Sequence, residues 1–372
     1  MSSNSAAWLN AAFAPLAVAD APIVPPEPGQ IQVRNRAVAI NPIDRFKQKM
    51  GDALYGWLKY PMILGFDLAG EVVAVGSDVT RFRVGDRVVG HATGMEKVRN
   101  KASESAFQLY TNVMAHMASP IPSAMSFETA AVLPLALSTA ACGLFGTDQL
   151  GLDLPTSDPS DKDQTVLVWG GSTSVGCNAI QLAKAAGYRV VTTASPHNFA
   201  YLKELGAAEV HDYHGDDASE RVTRALQGHE MAGAVAIGAG STQACIAVLG
   251  ATEGNPKMAI ATFPIDIDAI PDRPNVWTMM TKMVPKMVVG IGGMWIAAKR
   301  NGVRTSTIWG SALMDTDLGR AIYERFLPEA LETGRLVAAP PPLVVGHGLG
   351  AIQSAFERQK NGVSAAKIVV TL

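Results

Sequence analysis

The stretch WGGSTSVG, residues 169–176, joins two segments of opposite character. The residues before it, TVLV at 165–168, favour a strand, and those after it, AIQLAKA at 179–185, favour a helix. Glycines at a turn from a strand into a helix are typical of phosphate-binding loops, because the first helical turn has free N–H groups. The stretch therefore predicts a phosphate-binding loop.

The spacing of this loop matches the dinucleotide fingerprint GxGxxG only in part. In that fingerprint the first glycine makes the turn, the second admits the pyrophosphate and the third allows close helix–strand packing. Gly171 and Gly176 take the outer places, but Thr173 stands in the middle. The predicted cofactor-binding residues of the loop are Gly171, Ser172, Thr173, Ser174, Val175 and Gly176. The alternative is a strand–helix turn without a ligand.

Strand and helix patterns alternate after a polar connection at residues 155–164. This rhythm predicts a parallel, doubly wound sheet with helices between its strands. We expect KMVVGIGG, residues 286–293, to extend this sheet as a strand, with a helix at 318–334 and a last strand at 367–372. Before the loop, strand patterns at residues 30–40, 69–75 and 86–90 predict a β-rich antiparallel region. The predicted fold class is therefore α/β with two parts.

The end of the second predicted strand bears on the choice of cofactor. An acidic residue there would bind the ribose 2′-hydroxyl of NAD. The stretch is TTASPHN, residues 192–198, which has no acid, whereas Ser195, His197 and Asn198 can donate hydrogen bonds to a 2′-phosphate. This favours NADP; the alternative is a loop in which Ser195 or Asn198 caps the next helix.

Composition excludes several classes of protein. The 372 residues carry a net charge of −2, which argues against nucleic-acid and anionic-membrane partners. The three cysteines, Cys142, Cys177 and Cys245, are far apart and indicate a reducing compartment. No basic segment precedes the apolar residues near the N-terminus, and the most apolar window, residues 283–298, is interrupted by proline, lysine and glycines. We expect a soluble, cytoplasmic protein.

Several stretches resemble the medium-chain dehydrogenase/reductase superfamily, specifically its zinc-independent quinone-reductase and enoyl-reductase branch, which includes fungal trans-acting enoyl reductases. They are AVAINPID (37–44), PMILGFDLAGEVVAVG (61–76), VTRFRVGDRVVGHA (79–92), TTASPHNF (192–199), LKELGAAEVHDY (202–213) and NGVSAAKIVVTL (361–372), beside the glycine loop. The resemblance implies a GroES-like catalytic domain at residues 1–140 and 313–372, with a Rossmann NADP-binding domain at 141–312 inserted into it.

The resemblance also bears on metal binding. Zinc enzymes of the superfamily hold the metal with cysteines and a His-Glu pair, and zinc requires such N and S ligands. In this sequence Asn41-Pro42 and Phe66-Asp67 stand at the first cysteine and at the His-Glu pair, and the four-cysteine lobe is absent. His91 and His116 are unclustered. We predict no metal site.

Without zinc, the resemblance implies that NADPH reduces an activated C=C bond or a quinone, and that hydrogen-bond donors stabilise charge on the carbonyl oxygen. The implied catalytic residues are Asn41, Asp44, Lys47 and Thr139. Lys47 lies one position beyond the D-x-K lysine of the polyketide reductases; the alternative is a solvated surface lysine. Further cofactor contacts are implied for Tyr213, Ala261, Thr262, Phe263, Val363 and Ser364, and substrate contacts for Trp277 and Met280.

The sequence thus predicts an NADPH-dependent, zinc-independent reductase of a small enoyl, enone or quinone substrate, free or carrier-bound. Two alternatives remain: an NADP-dependent carbonyl reductase or dehydrogenase of a biosynthetic pathway, and an NADPH-binding protein without turnover. The protein is expected to be a monomer or a homodimer.

Overall fold

The computed structural model describes residues 3–262, 277, 281 and 284–372. Its strands are β1 (Asn4–Leu9), β2 (Ala17–Ala21), β3 (Gln30–Ala39), β4 (Met62–Ile63), β5 (Asp67–Val75), β6 (Arg87–His91), β7 (Tyr110–Met114), β8 (Ala118–Pro120), β9 (Gln164–Trp169), β10 (Arg189–Ala194), β11 (Glu209–Asp212), β12 (Glu230–Ala236), β13 (Lys257–Ile260), β14 (Arg304–Thr307), β15 (Pro342–His347) and β16 (Lys367–Thr371). They form a seven-stranded sheet, a six-stranded sheet and a small sheet of β1, β2 and β4.

The described helices are α1 (Pro42–Met50), α2 (Phe127–Ala130), α3 (Pro134–Phe145), α4 (Ser174–Ala185), α5 (Phe199–Glu204), α6 (Ala218–Leu226), α7 (Ser241–Gly250), α8 (Val284–Arg300), α9 (Asp317–Gly319), α10 (Leu327–Glu332) and α11 (Ile352–Lys360). A π-helical turn, Arg320–Phe326, joins α9 to α10, so the helix expected at 318–334 is present in three parts. Ser126 caps α2 by accepting a hydrogen bond from the backbone N–H of Thr129, as its sequence favours.

The six-stranded sheet is parallel throughout, with the order β11-β10-β9-β12-β13-β14. This is the order of a Rossmann dinucleotide-binding sheet, in which the chain turns outward in opposite directions on either side of the first strand. The loop at residues 170–173 follows that first strand, β9, at the point where the order reverses. The predicted doubly wound sheet is confirmed.

The seven-stranded sheet contains segments from both ends of the chain. Its order is β15-β16-β3-β5-β6-β8, with β7 paired to β3. Strand β16 runs antiparallel to β3, so that Val369 lies opposite Ala39. The last strands of the chain therefore complete a sheet whose other strands come before residue 121.

The expected strand at residues 286–293 is wrong, because these residues lie inside α8. The strand that pairs with β13 at this edge of the sheet is β14, Arg304–Thr307. A short apolar run with glycines and valines fits a strand or a helix equally well, and neighbours decide between them. Val288 and Val289, which the strand pattern would bury, are 60% and 74% exposed on this helix.

One described helical stretch, Phe127–Phe145, has the length and apolar composition of a membrane span. It is 72% buried inside the protein, and core helices of soluble proteins pass the same test. Ala136, Leu137 and Ala140 on α3 are almost fully buried, so the stretch packs as a core helix. Helix α3 lies against α4, and this contact joins the region of the seven-stranded sheet to the parallel sheet.

Candidate functional site

The glycine loop is shaped by close backbone contacts. Gly170 has a φ of 93°, a conformation that favours glycine. A Cβ atom on Gly171 would lie 2.2 Å from the hydroxyl oxygen of Thr192, and one on Gly176 would lie 2.3 Å from the carbonyl oxygen of Gly170. Both glycines are therefore required by the approach of α4 to β9 and β10, which is the role of outer glycines in a dinucleotide-binding loop.

The hydroxyl of Thr173, at the middle position, is used within the loop. It accepts a hydrogen bond from the N–H of Gly176 at 3.0 Å and donates one to the carbonyl of Gly170 at 2.8 Å. Thr173 therefore caps α4. The N–H groups of Ser174 and Val175, in the same first turn, have no acceptor within their own helix and are placed to bind an anion. The loop fits the pyrophosphate of a nicotinamide dinucleotide.

Residues predicted to contact the cofactor meet beyond the end of β10, although they come from three distant segments. The Ser195 hydroxyl donates to the hydroxyl oxygen of Tyr213 at 3.3 Å. The side chains of His197 and Asn198 lie 3.2 and 3.4 Å from the hydroxyl oxygen of Ser364. We call this group of five residues the hydroxyl cluster. It presents hydrogen-bond donors and an imidazole ring at the carboxyl edge of the sheet.

Three other predicted cofactor residues lie next to elements already described. Ala261 and Thr262 directly follow β13 at the same sheet edge, and Val363 precedes Ser364. Phe263 and Met280 lie outside the described residues. Trp277 is 71% exposed, and its predicted substrate contact stays a prediction.

A buried polar cluster surrounds the start of α1. Asn41 donates through its side-chain amide to Asp67 at 2.9 Å and accepts from the ammonium group of Lys367 at 2.5 Å. Lys367 also forms an ion pair with Asp67 at 3.0 Å, and both side chains are at most 5% exposed. The carboxyl of Asp44 accepts from the backbone N–H of Asn41 at 2.7 Å. We call Asn41, Asp44, Asp67 and Lys367 the buried polar cluster.

Burial raises the pKa of Asp44 to about 8, against the opposing effect of the Asn41 N–H group. The negative charge of Asp67 raises this pKa further, and Lys367 lowers it. Asp44 therefore keeps its proton to a higher pH than an exposed aspartic acid does. Sequence reasoning did not select Lys367, although a lysine at the start of an otherwise apolar strand is a signal that its charge has a specific partner.

The donors at the positions of the zinc ligands do not fit a zinc ion. Phe66 has no ligating atom and packs edge-on against His91, with ring centroids 5.9 Å apart. Both oxygens of Asp67 are already bound, one by the N–H of Leu135 at 2.7 Å and the other by Asn41 and Lys367. Among the residues that the structure describes, no three His, Cys, Asp or Glu side chains gather as a metal site.

Lys47 is fully buried, so the alternative of a solvated surface lysine is wrong. Its ammonium group donates to the carbonyls of Gly51 and Tyr55 at 3.1 and 3.2 Å and to the carboxylate of Asp52 at 3.1 Å. It also lies 5.0 Å from the ring centre of Tyr60. Because its three N–H bonds have three acceptors, Lys47 holds the segment after α1 in place.

Thr139 lies on α3 and donates its hydroxyl hydrogen to the carbonyl of Leu135 at 2.7 Å. A Cβ atom on Gly310 would lie 2.3 Å from the Thr139 hydroxyl oxygen. Thr139 therefore contacts the segment that follows β14, at the edge of the parallel sheet where Ala261 and Thr262 also lie. The structure thus places Thr139 at the carboxyl edge of the parallel sheet and Asn41 and Asp44 in the buried polar cluster.

A cleft of about 330 Å³ is lined by residues near the C-terminal end of α3 and by the segment around Trp309. It contains none of the predicted site residues, among them Thr139 and the hydroxyl cluster. We assign it no role in the site.

Two family models match the chain: the alcohol dehydrogenase GroES-like domain at residues 27–123 and the zinc-binding dehydrogenase at residues 174–262. The chain is 48% identical to the dehydrogenase pigH of Monascus ruber, and the match covers 100% of both chains. It is 35% identical to the trans-enoyl reductase himH of Aspergillus japonicus, over 92% of this chain and 90% of that one. A mycobacterial protein solved with NADPH shares the fold, with a TM-score of 0.67, 20% identity and full coverage of both chains.

A parallel sheet in Rossmann order, a glycine loop at its switch point and a β-rich part completed by the last strands are the features of one class of two-part oxidoreductases. The chain belongs to the medium-chain dehydrogenase/reductase superfamily, with a GroES-like region and a nicotinamide-binding Rossmann sheet.

Proposed function

We propose that the protein is a zinc-independent, NADPH-dependent reductase of an activated C=C bond or a quinone. The observation that carries the proposal is the combination of a dinucleotide loop that keeps both outer glycines with a zinc position occupied by Phe66 and by the Asp67–Lys367 ion pair. Without a Lewis acid, removal of hydride from a plain alcohol is difficult. Addition of hydride to an already polarised alkene or quinone is easier. The relative named as a trans-enoyl reductase supports this choice.

A bound nicotinamide would supply the hydride, and the chain would supply orientation and charge stabilisation. In this proposal Asp44 keeps its proton to a higher pH than an exposed aspartic acid does, and Asn41 is fixed by Asp67 and Lys367 at the start of α1. Thr139 lies beside the carboxyl edge of the parallel sheet and would border the reacting end of the cofactor. Lys47 acts as a positioning residue, because its N–H bonds are directed to the loop after α1.

The preference for NADPH rests on the hydroxyl cluster. No acidic side chain stands at residues 195–198, where it would repel a 2′-phosphate. The hydroxyls of Ser195 and Ser364 and the side chains of His197 and Asn198 supply donors there. The NADPH complex of a protein with the same fold is consistent with this preference.

A second candidate is an NADP-dependent carbonyl reductase or dehydrogenase, which the name of the relative pigH favours. The domain division at residues 140/141 and 312/313 and the cytoplasmic location also remain proposals. A small-molecule substrate, free or carried on an acyl carrier, and a monomeric or homodimeric state are proposed with them. The inclusion of β15 and β16 in the seven-stranded sheet supports the discontinuous domain.

The test is a substrate panel with NADPH, containing enones, enoyl thioesters, quinones, and saturated aldehydes and ketones. We expect NADPH oxidation with a conjugated substrate, and a product that gains two hydrogens at the C=C bond or quinone. Reduction of only the saturated carbonyls would favour the second candidate. Tight NADPH binding without turnover across the panel would indicate a protein that binds the cofactor without catalysis.

A further inference from the structure

A chain of buried hydrogen bonds runs from α3 through the π-helical turn to β6 and reaches the segment after β14. The hydroxyl of Tyr323 lies 3.0 Å from the carbonyl oxygen of Pro134 and 2.8 Å from the hydroxyl of Ser138. Ser138 lies 2.8 Å from Nδ1 of His91, whose Nε2 lies 3.4 Å from the hydroxyl of Ser311. Tyr323, Ser138 and His91 are completely buried.

The polarity of this chain follows from its one member that can only accept. The Pro134 carbonyl has no hydrogen, so Tyr323 donates its hydrogen there. Tyr323 then offers only lone pairs to Ser138, which donates to it. Ser138 in turn offers only lone pairs to His91, so Nδ1 of His91 carries the hydrogen. The reverse polarity would direct two lone pairs at each other across the 3.0 Å between Tyr323 and Pro134.

We propose that this chain fixes His91 as the neutral tautomer with hydrogen on Nδ1, which leaves Nε2 as an acceptor facing the Ser311 hydroxyl at 3.4 Å. The Glu96 carboxyl is a second acceptor for that hydroxyl, so Ser311 shares its one hydrogen between the two and ties the segment around Gly310 to His91. His91 is a positioning residue in this proposal, since it acts through Ser311. The tautomer follows from hydrogen-bond geometry alone; its effect on turnover rests on the proposed function.

The surroundings of His91 favour a neutral ring. Burial lowers its pKa to about 4, although the negative charge of Asp67 opposes this effect. Phe66 packs edge-on against the ring and adds an apolar neighbour. The neutral form has one donor and one acceptor nitrogen, which the chain requires.

The segment held by Ser311 lies where a cofactor contact is expected. It directly follows β14, next to β13 at the carboxyl edge of the parallel sheet. Gly310 touches Thr139 so closely that a Cβ atom would overlap its hydroxyl. The neighbouring residue Trp309 donates its indole N–H to Glu96 at 2.9 Å, which also holds this segment. A change in the His91 tautomer would therefore displace the segment that touches Thr139.

The test is nitrogen NMR on protein labelled with ¹⁵N-histidine at pH 7, with His91 assigned by its loss in the variant His91→Asn. We expect Nδ1 protonated and Nε2 unprotonated in the wild type. In Tyr323→Phe the acceptor for Ser138 is lost, so Ser138 is free to donate to Nδ1 and the hydrogen should move to Nε2. An Nε2-protonated or doubly protonated His91 in the wild type would overturn the proposal.

Tyr188→Phe is the matched control, because it removes a buried tyrosine hydroxyl that accepts from the N–H of Asp153, at a distant site. We expect its His91 signals and turnover to match the wild type. If Tyr323→Phe does not fold, Ser138→Ala tests the hydrogen bond between Ser138 and Nδ1 of His91. If the Nδ1 hydrogen of His91 stays in place in Ser138→Ala and exchanges with solvent no faster than in the wild type, the proposal is contradicted. For Tyr323→Phe we expect a fall in kcat of up to about 100-fold, the scale on which misplaced reacting groups slow catalysis.

Turnover separates the two proposals. A fall in kcat for Tyr323→Phe, larger than any rise in KM for NADPH, would support a positioning role, and an unchanged kcat together with a changed tautomer would refute that role. If no substrate of the panel is reduced, the proposed function fails, while the wild-type tautomer still decides whether the hydrogen-bond chain has the stated polarity.

Discussion

The surroundings of Lys47 show how a single side chain can hold a loop. Its ammonium group is fully buried, yet it binds two carbonyls and one carboxylate that all belong to the segment just after α1. A buried ammonium without acceptors would be strongly unfavourable, so the loop and the lysine stabilise each other. The carboxylate partner, Asp52, is 70% exposed, so the two carbonyls are the contacts that depend most on Lys47.

Lys47→Met should therefore lower the free energy of unfolding by about 1–3 kcal/mol, because two buried carbonyls lose their donor. Urea unfolding followed by circular dichroism measures this change. Asp52→Asn is the matched control, and its effect should stay within about 1 kcal/mol, as for other exposed ion pairs. Equal effects of the two substitutions would contradict the buried role of Lys47.

Sequence reasoning located the surroundings of Asn41 and Asp44 but not the partner that fixes them. Asn41 was selected from its motif, whereas Lys367 lies 326 residues away in the sequence and has no local signal that links it to Asn41. Hydrogen-bond partners of this kind depend on tertiary packing, which periodicity and spacing do not encode.

At the scale of elements, the residues after β10 are the part of the predicted site that the structure brings together; their contact with a cofactor stays a prediction. Ser195, His197 and Asn198 were selected from one local stretch, and the structure brings Tyr213 and Ser364 to them. Such a result is expected where function depends on the carboxyl ends of parallel strands, because strand order alone gathers those ends at one edge.

Ser195→Asp should weaken NADPH binding by roughly 10- to 100-fold, because it places a carboxylate beside the 2′-phosphate and loses a charge-assisted contact of about 1.5–3 kcal/mol. NADH, which lacks the phosphate, should bind about as before. Calorimetric titration of both cofactors measures the two affinities. Ser195→Ala, which removes the hydroxyl without adding charge, should lose less than Ser195→Asp.

Equal affinity of the wild type for NADPH and NADH would be inconsistent with a role for the hydroxyl cluster. Loss of NADH binding in Ser195→Asp would show instead that the substitution disturbs the loop rather than the phosphate contact.

Two parts of the chain differ from the predicted element types. Residues 286–293 have the composition of a strand but form part of α8, on which Val289 and Trp295 are 74% and 60% exposed. The strands β1 and β2 were not predicted at all, since their alanine-rich residues carry a weak strand preference. Both cases show tertiary context deciding between conformations that local preference leaves close in energy.

At the scale of the whole molecule, the Asp67–Lys367 ion pair joins β5 to β16 within the seven-stranded sheet. Lys367→Met would leave Asp67 buried without its cation. Such a loss should lower the free energy of unfolding by about 4 kcal/mol. Equilibrium unfolding in urea measures it, with the transition followed at several wavelengths because two-state behaviour is not assured at this length.

Lys162→Met is the matched control, because Lys162 pairs with Asp153 at the surface, where the two side chains are 30% and 67% exposed. Its effect should be no more than about 1 kcal/mol. The double variant Asp67→Asn with Lys367→Met should recover part of the lost stability, since no unpaired buried charge remains. A loss no larger than that of the control would show that water reaches Asp67.

The pairing of β16 with β3 also constrains how the protein is made. Lys367 leaves the ribosome more than 300 residues after Asn41, its hydrogen-bond partner. At about 5–20 residues per second, the early strands therefore wait on the order of tens of seconds for the strand beside them. The parallel sheet, whose strands lie between residues 164 and 307, can assemble in that interval. During synthesis the middle of the chain can therefore fold before β16 reaches β3, and residues 37–39 of β3 would stay without that partner in the interval.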